Sequence, residues 1–208
     1  MLGHGLTRVF SAAALTLMAL LALAGLPQHA VPQTAPRELV LVLDPAASKV
    51  HWTLDSSLHT VHGTFAFKNG ALHVYPGTGK AGGEIIADAA SGNSGNDSRD
   101  KKMHKEVLES GRYGEVVFRP DRVAGTIATP GTSAVQVHGT FVLHGSEHEL
   151  TVPVQAELGT DHWTGSSKFD VPFIDWGLKN PGNFFLKVNH RVNIELELKG
   201  RLESPVAP

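Results

Sequence analysis

The sequence predicts an all-β domain built from amphipathic antiparallel strands. One observation is a heptad that occurs twice, as VHGTFAF at 61–67 and as VHGTFVL at 137–143. A second is the alternation of apolar and polar residues through these and other segments, which is typical of strands with one buried face. A third is the presence of 22 glycines with only one helical segment. Together these observations favour a barrel or a sandwich of two sheets.

Residues 1–30 carry the pattern of a secretory signal peptide. Arg8 precedes an apolar run from Val9 to Leu26, and residues suited to cleavage stand at 22–24 and at Ala30. The alternative is an uncleaved membrane anchor, because the run is close to the shortest length that spans a bilayer. Either interpretation predicts an exported protein that is periplasmic or secreted.

Composition predicts a single domain after this signal. Residues 31–42 form a proline-containing lead, and residues 43–203 have the length of one domain with its own core. The chain has no cysteine, so the domain must be stable without disulfides. A net charge of -2 and a pI near 6.6 give no general attraction for nucleic acid. We therefore expect no nucleic-acid partner.

The first strands of the domain are assigned by their alternation. A strand around Trp52 is followed by the strand of the first heptad, and each has one apolar face. The Asn69-Gly70 pair is typical of a two-residue hairpin turn, so the heptad strand is expected to end there. The predicted inward-facing residues are Val50, Trp52, Leu54, Val61, Gly63, Phe65, Phe67, Leu72 and Val74.

One segment, Ser98–Gly111, is predicted to be an amphipathic helix. Asp97 or Ser98 is the expected N-cap, and Gly111 is the expected end. Its basic cluster is either a solvated face or a contact for an anionic head group or phosphate. The apolar side consists of Met103, Val107 and Leu108, and the basic cluster consists of Arg99, Lys101, Lys102, His104 and Lys105.

The second half continues the alternating pattern. The second heptad lies in a longer strand that ends near a turn at His144-Gly145-Ser146. With the first half, this gives about eight to ten strands. A further strand before the helical segment is predicted at 82–88, and the other strands of the second half are predicted at 115–119, 122–128, 147–158, 162–171 and 188–198.

So many amphipathic strands must remove their apolar faces from water. Closure into a barrel does this and removes the edge strands, and a sandwich of two sheets buries those faces as well. Glycines at 63, 139 and 165 share the inward face with aromatic residues, which suits a curved wall. The pattern leaves open whether the interior is a filled core or a cavity.

Twelve histidines raise the question of a metal site. His62 and His138 project from the polar face, and His144 and His148 flank a turn, so convergent ligands are not indicated and no metal is expected. His148 and His190 fall in the apolar register, where they either end a strand or make a polar contact inside a cavity. No catalytic or phosphate-binding motif is present, so no catalytic residue is predicted.

Several short motifs follow one another along the chain. They are Asp44-Pro45-x-x-Ser48-x-Val50, Val61–Phe65 with Asn69-Gly70, Ser91 to Met103 with Ser94, Gly95, Asn96, Arg99 and Asp100, Tyr113 and Phe118, Val137–Gly139 with Gly145, Phe173–Leu178, and Val188–Leu198. Each is weak alone, but their order and spacing are specific. In this order, from about Leu43 to Leu198, the chain resembles the YceI-like family of secreted, lipocalin-like proteins that bind polyisoprenoids and other amphiphilic lipids. It departs from the family's usual pattern at Ser94, Gly114 and Asp175.

The resemblance implies a fold and a set of interior residues. The fold is an extended antiparallel up-and-down β-barrel of the lipocalin type with one short α-helix, spanning 43–203 and enclosing a long apolar tunnel. A polar head group is expected at a mouth, near His190 or Arg99. The residues expected to line the tunnel are Trp52, Phe65, Phe67, Phe118, Phe141, Leu150, Val152, Trp163 and Trp176.

The resemblance also implies a function. We expect a binding protein, not an enzyme, that carries or sequesters a polyisoprenoid, an isoprenoid quinone or a fatty-acyl lipid and needs no other cofactor. Membrane contact for lipid exchange and a homodimer are further expectations. Two alternatives stay open, which are an enzyme that acts on such a lipid and a solid-cored interaction module without a ligand.

Overall fold

The computed structural model describes residues 38–203, which form a closed antiparallel β-barrel with one short helix. The predicted signal peptide at 1–30 and all but the last residues of the lead at 31–42 lie outside the described residues. Within residues 38–203, no helix has the length and apolar character needed to cross a membrane. The elements are β1 Leu39–Leu43, β2 Lys49–Asp55, β3 Thr60–Tyr75, β4 Lys80–Asn93, α1 Asp97–Lys102, a π-helical segment Met103–Val107, β5 Glu115–Ala124, β6 Gly131–Leu143, β7 Ser146–Leu158, β8 His162–Val171 and β9 Val192–Glu203.

The barrel closes because the last strand of the sheet order returns to its start. The neighbours run β3, β2, β9, β8, β7, β6, β5 and β4, and β4 pairs again with β3. The remaining strand, β1, lies between β3 and β9 as β2 does, but further along the barrel. It pairs with the far part of β3 and with the end of β9. A closed sheet has no unpaired edges. The structure is therefore a barrel and not a sandwich.

The two heptads occupy equivalent wall positions but need glycine for different reasons. The first lies in β3 between β2 and β4, and the second lies in β6 between β5 and β7. A Cβ at Gly63 would lie 2.3 Å from Cζ2 of Trp52, whereas a Cβ at Gly139 would lie 2.3 Å from the carbonyl oxygen of Arg119. Gly63 makes room for an indole ring, and Gly139 makes room for the backbone of β5.

The two predicted turns have different outcomes. His144 and Gly145 both have positive φ, 53° and 76°, and join β6 to β7 as a tight hairpin. The prediction of a turn at Asn69-Gly70 is wrong, because β3 runs on to Tyr75 and only shifts register against β4 between Phe67 and Asn69. The continued strand pairs with β1, and this non-local pairing overrides the local turn preference.

Other element boundaries also differ from the sequence prediction. The strands expected at 115–119 and 122–128 are one strand, β5, with a register shift between Pro120 and Arg122. The strand expected at 188–198 begins at Val192, and Val188 forms only an isolated bridge with Ser56. The helical segment starts after Asn96, whose side chain accepts a hydrogen bond from the Arg99 amide at 3.0 Å, and it stops at Val107, before the predicted end at 111.

The buried apolar residues form two clusters. One, the filled end, lies where β1 joins the barrel and contains Leu41, Leu158 and Trp163. The other contains Val107, Phe173 and Leu178, from the π-helical segment and the loop after β8. The interior therefore combines a filled core where β1 joins the barrel with a cavity that residues of both clusters line.

Candidate functional site

A cavity of about 480 Å³ lies inside the barrel. Inward-facing residues of every strand from β2 to β9 form its wall, and the helical segment and the loop between β8 and β9 complete it. Its size is within the range of about 300–1,000 Å³ that is usual for small-molecule sites. Most lining residues are aliphatic or aromatic, so the space suits an apolar ligand.

Seven of the nine residues expected to line a tunnel do line this cavity. They come from four strands besides β2, and their alternation along each strand places them on the inner face. Their role in binding a ligand stays a prediction. The seven are Trp52, Phe65, Phe67, Phe118, Phe141, Leu150 and Val152.

Trp163 lies in the filled end and does not line the cavity. Its side chain is inward-facing, with 5 % exposure, and its indole nitrogen donates a hydrogen bond to the Val42 carbonyl at 3.4 Å. Gly200 lies directly beneath it, since a Cβ there would be 2.5 Å from that nitrogen. The residue faces the interior as expected, but at the wrong height along the barrel to meet a ligand.

Trp176 also lies outside the cavity lining. Its ring stacks on His148 with a centroid separation of 4.1 Å and an interplanar angle of 3°, and it contacts Phe141 at 5.6 Å. Phe173 and Leu178, from the same loop, are buried and line the cavity instead. His148 is thus packed against an aromatic ring and makes no contact inside the cavity.

Basic side chains stand at the mouth of the cavity. Arg99 and Lys102 are lining residues from the helix. The Arg99 Nε donates to Ser94 Oγ at 2.7 Å and its Nη2 donates to the Ser94 carbonyl at 2.9 Å, while Lys102 Nζ donates to the Pro181 carbonyl at 2.8 Å. Ser94, one of the family departures, therefore fixes the Arg99 guanidinium. These cations are suitably placed for the polar end of an amphiphile.

His190 is not part of this mouth. It is exposed in the loop before β9, because that strand begins at Val192, four residues later than the alternation suggested. Lys179, in the same loop, pairs with Glu106 of the π-helical segment at 2.7 Å, and this hydrogen bond and charge lower the pKa of the Glu106 carboxyl. The loop is thereby tied to the helical segment over the cavity.

Several lining residues were not found by the sequence analysis. Ser56 and His59 come from the turn between β2 and β3, and Leu186 comes from the loop between β8 and β9. Neither segment alternates apolar and polar residues as a strand does, so the sequence does not show which of their side chains face the interior. The available signal was the apolar run at 184–186 between polar neighbours.

The polar groups at the cavity do not form a nucleophile and base. The Ser56 hydroxyl donates to the His59 carbonyl at 2.6 Å and accepts from the His59 amide at 3.2 Å. It is therefore engaged with the backbone of its own turn, and no contact between this hydroxyl and an imidazole nitrogen is formed. The arrangement stabilises the turn and is not that of an activated nucleophile.

One group of possible metal ligands occurs within residues 38–203, and it lies on the outside of the barrel. His138 of the second heptad contacts Asp121 through Nδ1 at 2.7 Å and Glu149 through Nε2 at 3.0 Å. Zinc sites bring several ligands to one point, whereas these carboxylates contact different nitrogens of one ring. The arrangement links β5, β6 and β7 by cross-strand polar contacts.

Comparisons with known proteins agree with this geometry. A family model for the YceI-like domain matches residues 41–200. The chain is similar to the solved structure of Burkholderia cenocepacia BcnA, with 18% identity and a TM-score of 0.62, over 76% of this chain and 99% of that one. It is also similar to a polyisoprenoid binding domain from Saccharophagus degradans implicated in plant cell wall breakdown, with 17% identity and a TM-score of 0.57, over 79% and 98%.

A third similar structure is the Campylobacter jejuni YceI protein, with 14% identity and a TM-score of 0.52, over 66% of this chain and 84% of that one. At these identities the likeness to solved structures concerns the fold. No curated protein matches the chain. The family match, in contrast, covers nearly the whole barrel.

Proposed function

The chain belongs to the YceI-like domain family, and on that premise we propose that it is a binding protein for a long-chain amphiphilic lipid. The ligand class comprises polyisoprenoids, isoprenoid quinones and fatty-acyl derivatives. The protein carries or sequesters this lipid and needs no other cofactor. The observation that carries the proposal is the apolar cavity of about 480 Å³ with cations at its mouth.

The wall of the cavity supports an apolar chain as the bound part of the ligand. Burial contributes about 0.8 kcal/mol per methylene before the costs of ordering the chain. Aromatic residues such as Phe65, Phe118 and Phe141 give this wall large contact surfaces. Affinity then comes from chain length, and selectivity comes from the shape of the space.

The mouth supports a polar or anionic end group. Arg99 and Lys102 line the cavity where the helical segment crosses it, and both are oriented by hydrogen bonds to backbone carbonyls. A similar domain from Saccharophagus degradans is named for polyisoprenoid binding, which favours the same ligand class here. The mouth cations add a preference for lipids with a carboxylate or phosphate end.

The proposal includes location and mode of action. The apolar run between Arg8 and Leu26 supports export, so the protein acts in the periplasm or outside the cell. The backbone-bound Ser56 hydroxyl supports binding without chemistry. Stable storage or transfer of the lipid is therefore the proposed role.

The experiment that tests this proposal is native purification followed by lipid extraction and mass spectrometry. The wild-type protein is expected to release a long-chain lipid, or to take one up after delipidation. An empty protein that also takes up no polyprenol, quinone or fatty acid would overturn the proposal. Unchanged lipid after long incubation supports binding, and a modified lipid would favour the enzyme alternative.

A matched pair of variants tests whether the lipid binds in the cavity. Leu150→Trp fills part of the cavity, whereas Thr151→Trp adds the same ring to the outer face of the same strand. Lipid uptake is expected to fall at least tenfold, about 1.4 kcal/mol, only for Leu150→Trp. Circular dichroism confirms that both variants are folded. Equal uptake by both variants would place the lipid elsewhere.

A further inference from the structure

Three large apolar side chains point into solvent within residues 38–203. Leu58 is 71%, Phe184 is 91% and Phe185 is 83% exposed. Single exposed apolar residues are common on protein surfaces, but these three come from two segments that touch each other. We call Leu58, Phe184 and Phe185 the apolar rim.

The apolar rim borders the mouth of the cavity. Leu58 lies in the turn between β2 and β3, and the Ser57 amide of this turn donates to the Lys187 carbonyl of the second loop at 2.8 Å. The chain neighbours of the rim residues, including Ser56, His59 and Leu186, line the cavity. The most exposed apolar surface and the opening of the apolar interior are therefore adjacent.

The two phenylalanines are held outward by the backbone of their loop. Asn183 Oδ1 accepts the amide hydrogens of Phe185 and Leu186, both at 2.9 Å, and the Asn183 amide donates to the Leu186 carbonyl at 3.0 Å. The two rings pack edge to face with centroids 5.3 Å apart. This tight turn sends Leu186 to the cavity and both rings to solvent, so their exposure is a fixed feature of the loop.

The charge around the rim is opposite in sign to that of the whole chain. The helical segment 97–107 and the loop 172–191 together carry seven Lys or Arg against four Asp or Glu, while the net charge of the chain is -2. The loop itself contains Lys179, Lys187 and Arg191 against one acidic residue, Asp175. An apolar tip with basic neighbours complements an anionic bilayer surface, because the apolar side chains enter the head-group region and the cations attract anionic lipids.

Two other occupants fit the rim less well. A second copy of the chain needs about 800 Å² of complementary surface per partner, whereas the rim is a tip of three side chains and no flat face. A peptide ligand needs a groove, and the phenylalanine rings project from a turn. We propose that the apolar rim inserts into the head-group region of an anionic lipid bilayer and thereby holds the cavity mouth against the membrane.

The biological purpose of this docking, the passage of a lipid between the bilayer and the cavity, rests on the proposed function. Partition into vesicles is a separate property that needs no bound lipid. An empty cavity in a protein that binds vesicles would overturn the proposed function and leave the docking intact. A lipid-filled protein that does not bind vesicles would overturn the docking and leave the proposed function intact.

The test uses flotation with vesicles of phosphatidylcholine mixed with phosphatidylglycerol, and with vesicles of phosphatidylcholine alone. The wild-type protein is expected to float with the mixed vesicles, and the double variant Phe184→Ser, Phe185→Ser to bind at least tenfold more weakly. Phe184→Leu, Phe185→Leu is the matched control, because it keeps the apolar tip and is expected to bind. Lys187→Gln should weaken binding to the anionic vesicles only. Wild-type binding by the serine variant would overturn the proposal.

A site-specific readout confirms which surface inserts. The chain has no cysteine, so Phe185→Cys and Thr160→Cys each give one labelling site, the second in the exposed turn between β7 and β8 near the filled end. An environment-sensitive fluorophore is expected to shift to shorter wavelength on anionic vesicles only at position 185. Equal shifts at both positions would overturn the proposal. Light scattering that shows a wild-type dimer dissociated by the serine variant would also overturn it, since the rim would then be a protein interface.

Discussion

The indole ring of Trp52 occupies the space that a side chain at Gly63 would need. The two residues are directly paired across β2 and β3, and a Cβ at Gly63 would lie 2.3 Å from Cζ2 of Trp52 and 2.5 Å from the Asn93 carbonyl oxygen. The first heptad thus owes its glycine to a ring on the neighbouring strand. Trp52 lines the cavity, so this pair shapes the interior as well as the wall.

We expect Gly63→Ala to destabilise the barrel by about 1–3 kcal/mol, because the added methyl overlaps both a ring and a backbone atom. Denaturant unfolding followed by far-UV circular dichroism measures the change. Gly82→Ala in β4 is the matched control, since nothing lies within 4 Å of its added Cβ, and its effect should stay within about 0.5 kcal/mol. Equal stability of Gly63→Ala and the wild-type protein would contradict the packing described for Trp52.

The relationship between Trp52 and Gly63 also shows what alternation can predict. The period of two identified the inward residues of most strands, because every second side chain in a strand meets the same face. It placed many of the cavity-lining residues on the inner face, Val50 and Leu54 among them, but that this face encloses a cavity was implied only by the family resemblance. It carried no information on height along the barrel, which is why Trp163, correctly assigned to the inner face, lies in the filled end.

Segments without a strand period explain the remaining differences. The loop between β8 and β9 contributes Pro181, Leu186 and Val188 to the cavity. Its apolar run at 184–186 indicates an apolar contact, but without a strand period the sequence does not indicate which of these side chains faces inward. The Asn69-Gly70 pair had a strong local turn preference, but pairing of the continued strand with β1 decided the outcome. Trp176 lies in a loop whose neighbours Phe173 and Leu178 face the cavity, and only the three-dimensional turn separates them.

The start of β1 is tied to β3 by a carboxylate that makes the stability of the barrel depend on pH. Glu38 Oε1 accepts a hydrogen bond from the Tyr75 hydroxyl at 2.8 Å and contacts His73 Nδ1 at 2.7 Å. The hydrogen bond to His73, and then that to Tyr75, hold the pKa of the Glu38 carboxyl below its ordinary value of 4.5. The same carboxylate raises the pKa of Tyr75.

A lowered pKa in the folded state means that ionised Glu38 stabilises the fold above its ordinary pKa, and that this contribution is lost as the pH falls through the folded pKa. Glu38→Gln is therefore expected to lower the melting temperature at neutral pH and to approach the wild-type curve in acid. Thermal unfolding across this pH range measures the difference. Glu157→Gln, an exposed carboxyl on β7, is the control. A constant difference between Glu38→Gln and wild type at all pH values would contradict the assignment.

Lys102 is the side chain at the cavity mouth best suited to test recognition of an anionic end group, because its neighbour Lys101 is an exposed lysine that is absent from the cavity lining. We expect Lys102→Gln to weaken binding of a fluorescent fatty acid about tenfold, or about 1.4 kcal/mol, since a charge-assisted hydrogen bond is lost. The methyl ester of the same probe should bind the variant and the wild type equally, and Lys101→Gln should change neither affinity. Because Lys102 Nζ also donates to the Pro181 carbonyl, equal losses for acid and ester would mean that the lysine only holds the loop. Unchanged binding of the acid would place the end group away from Lys102.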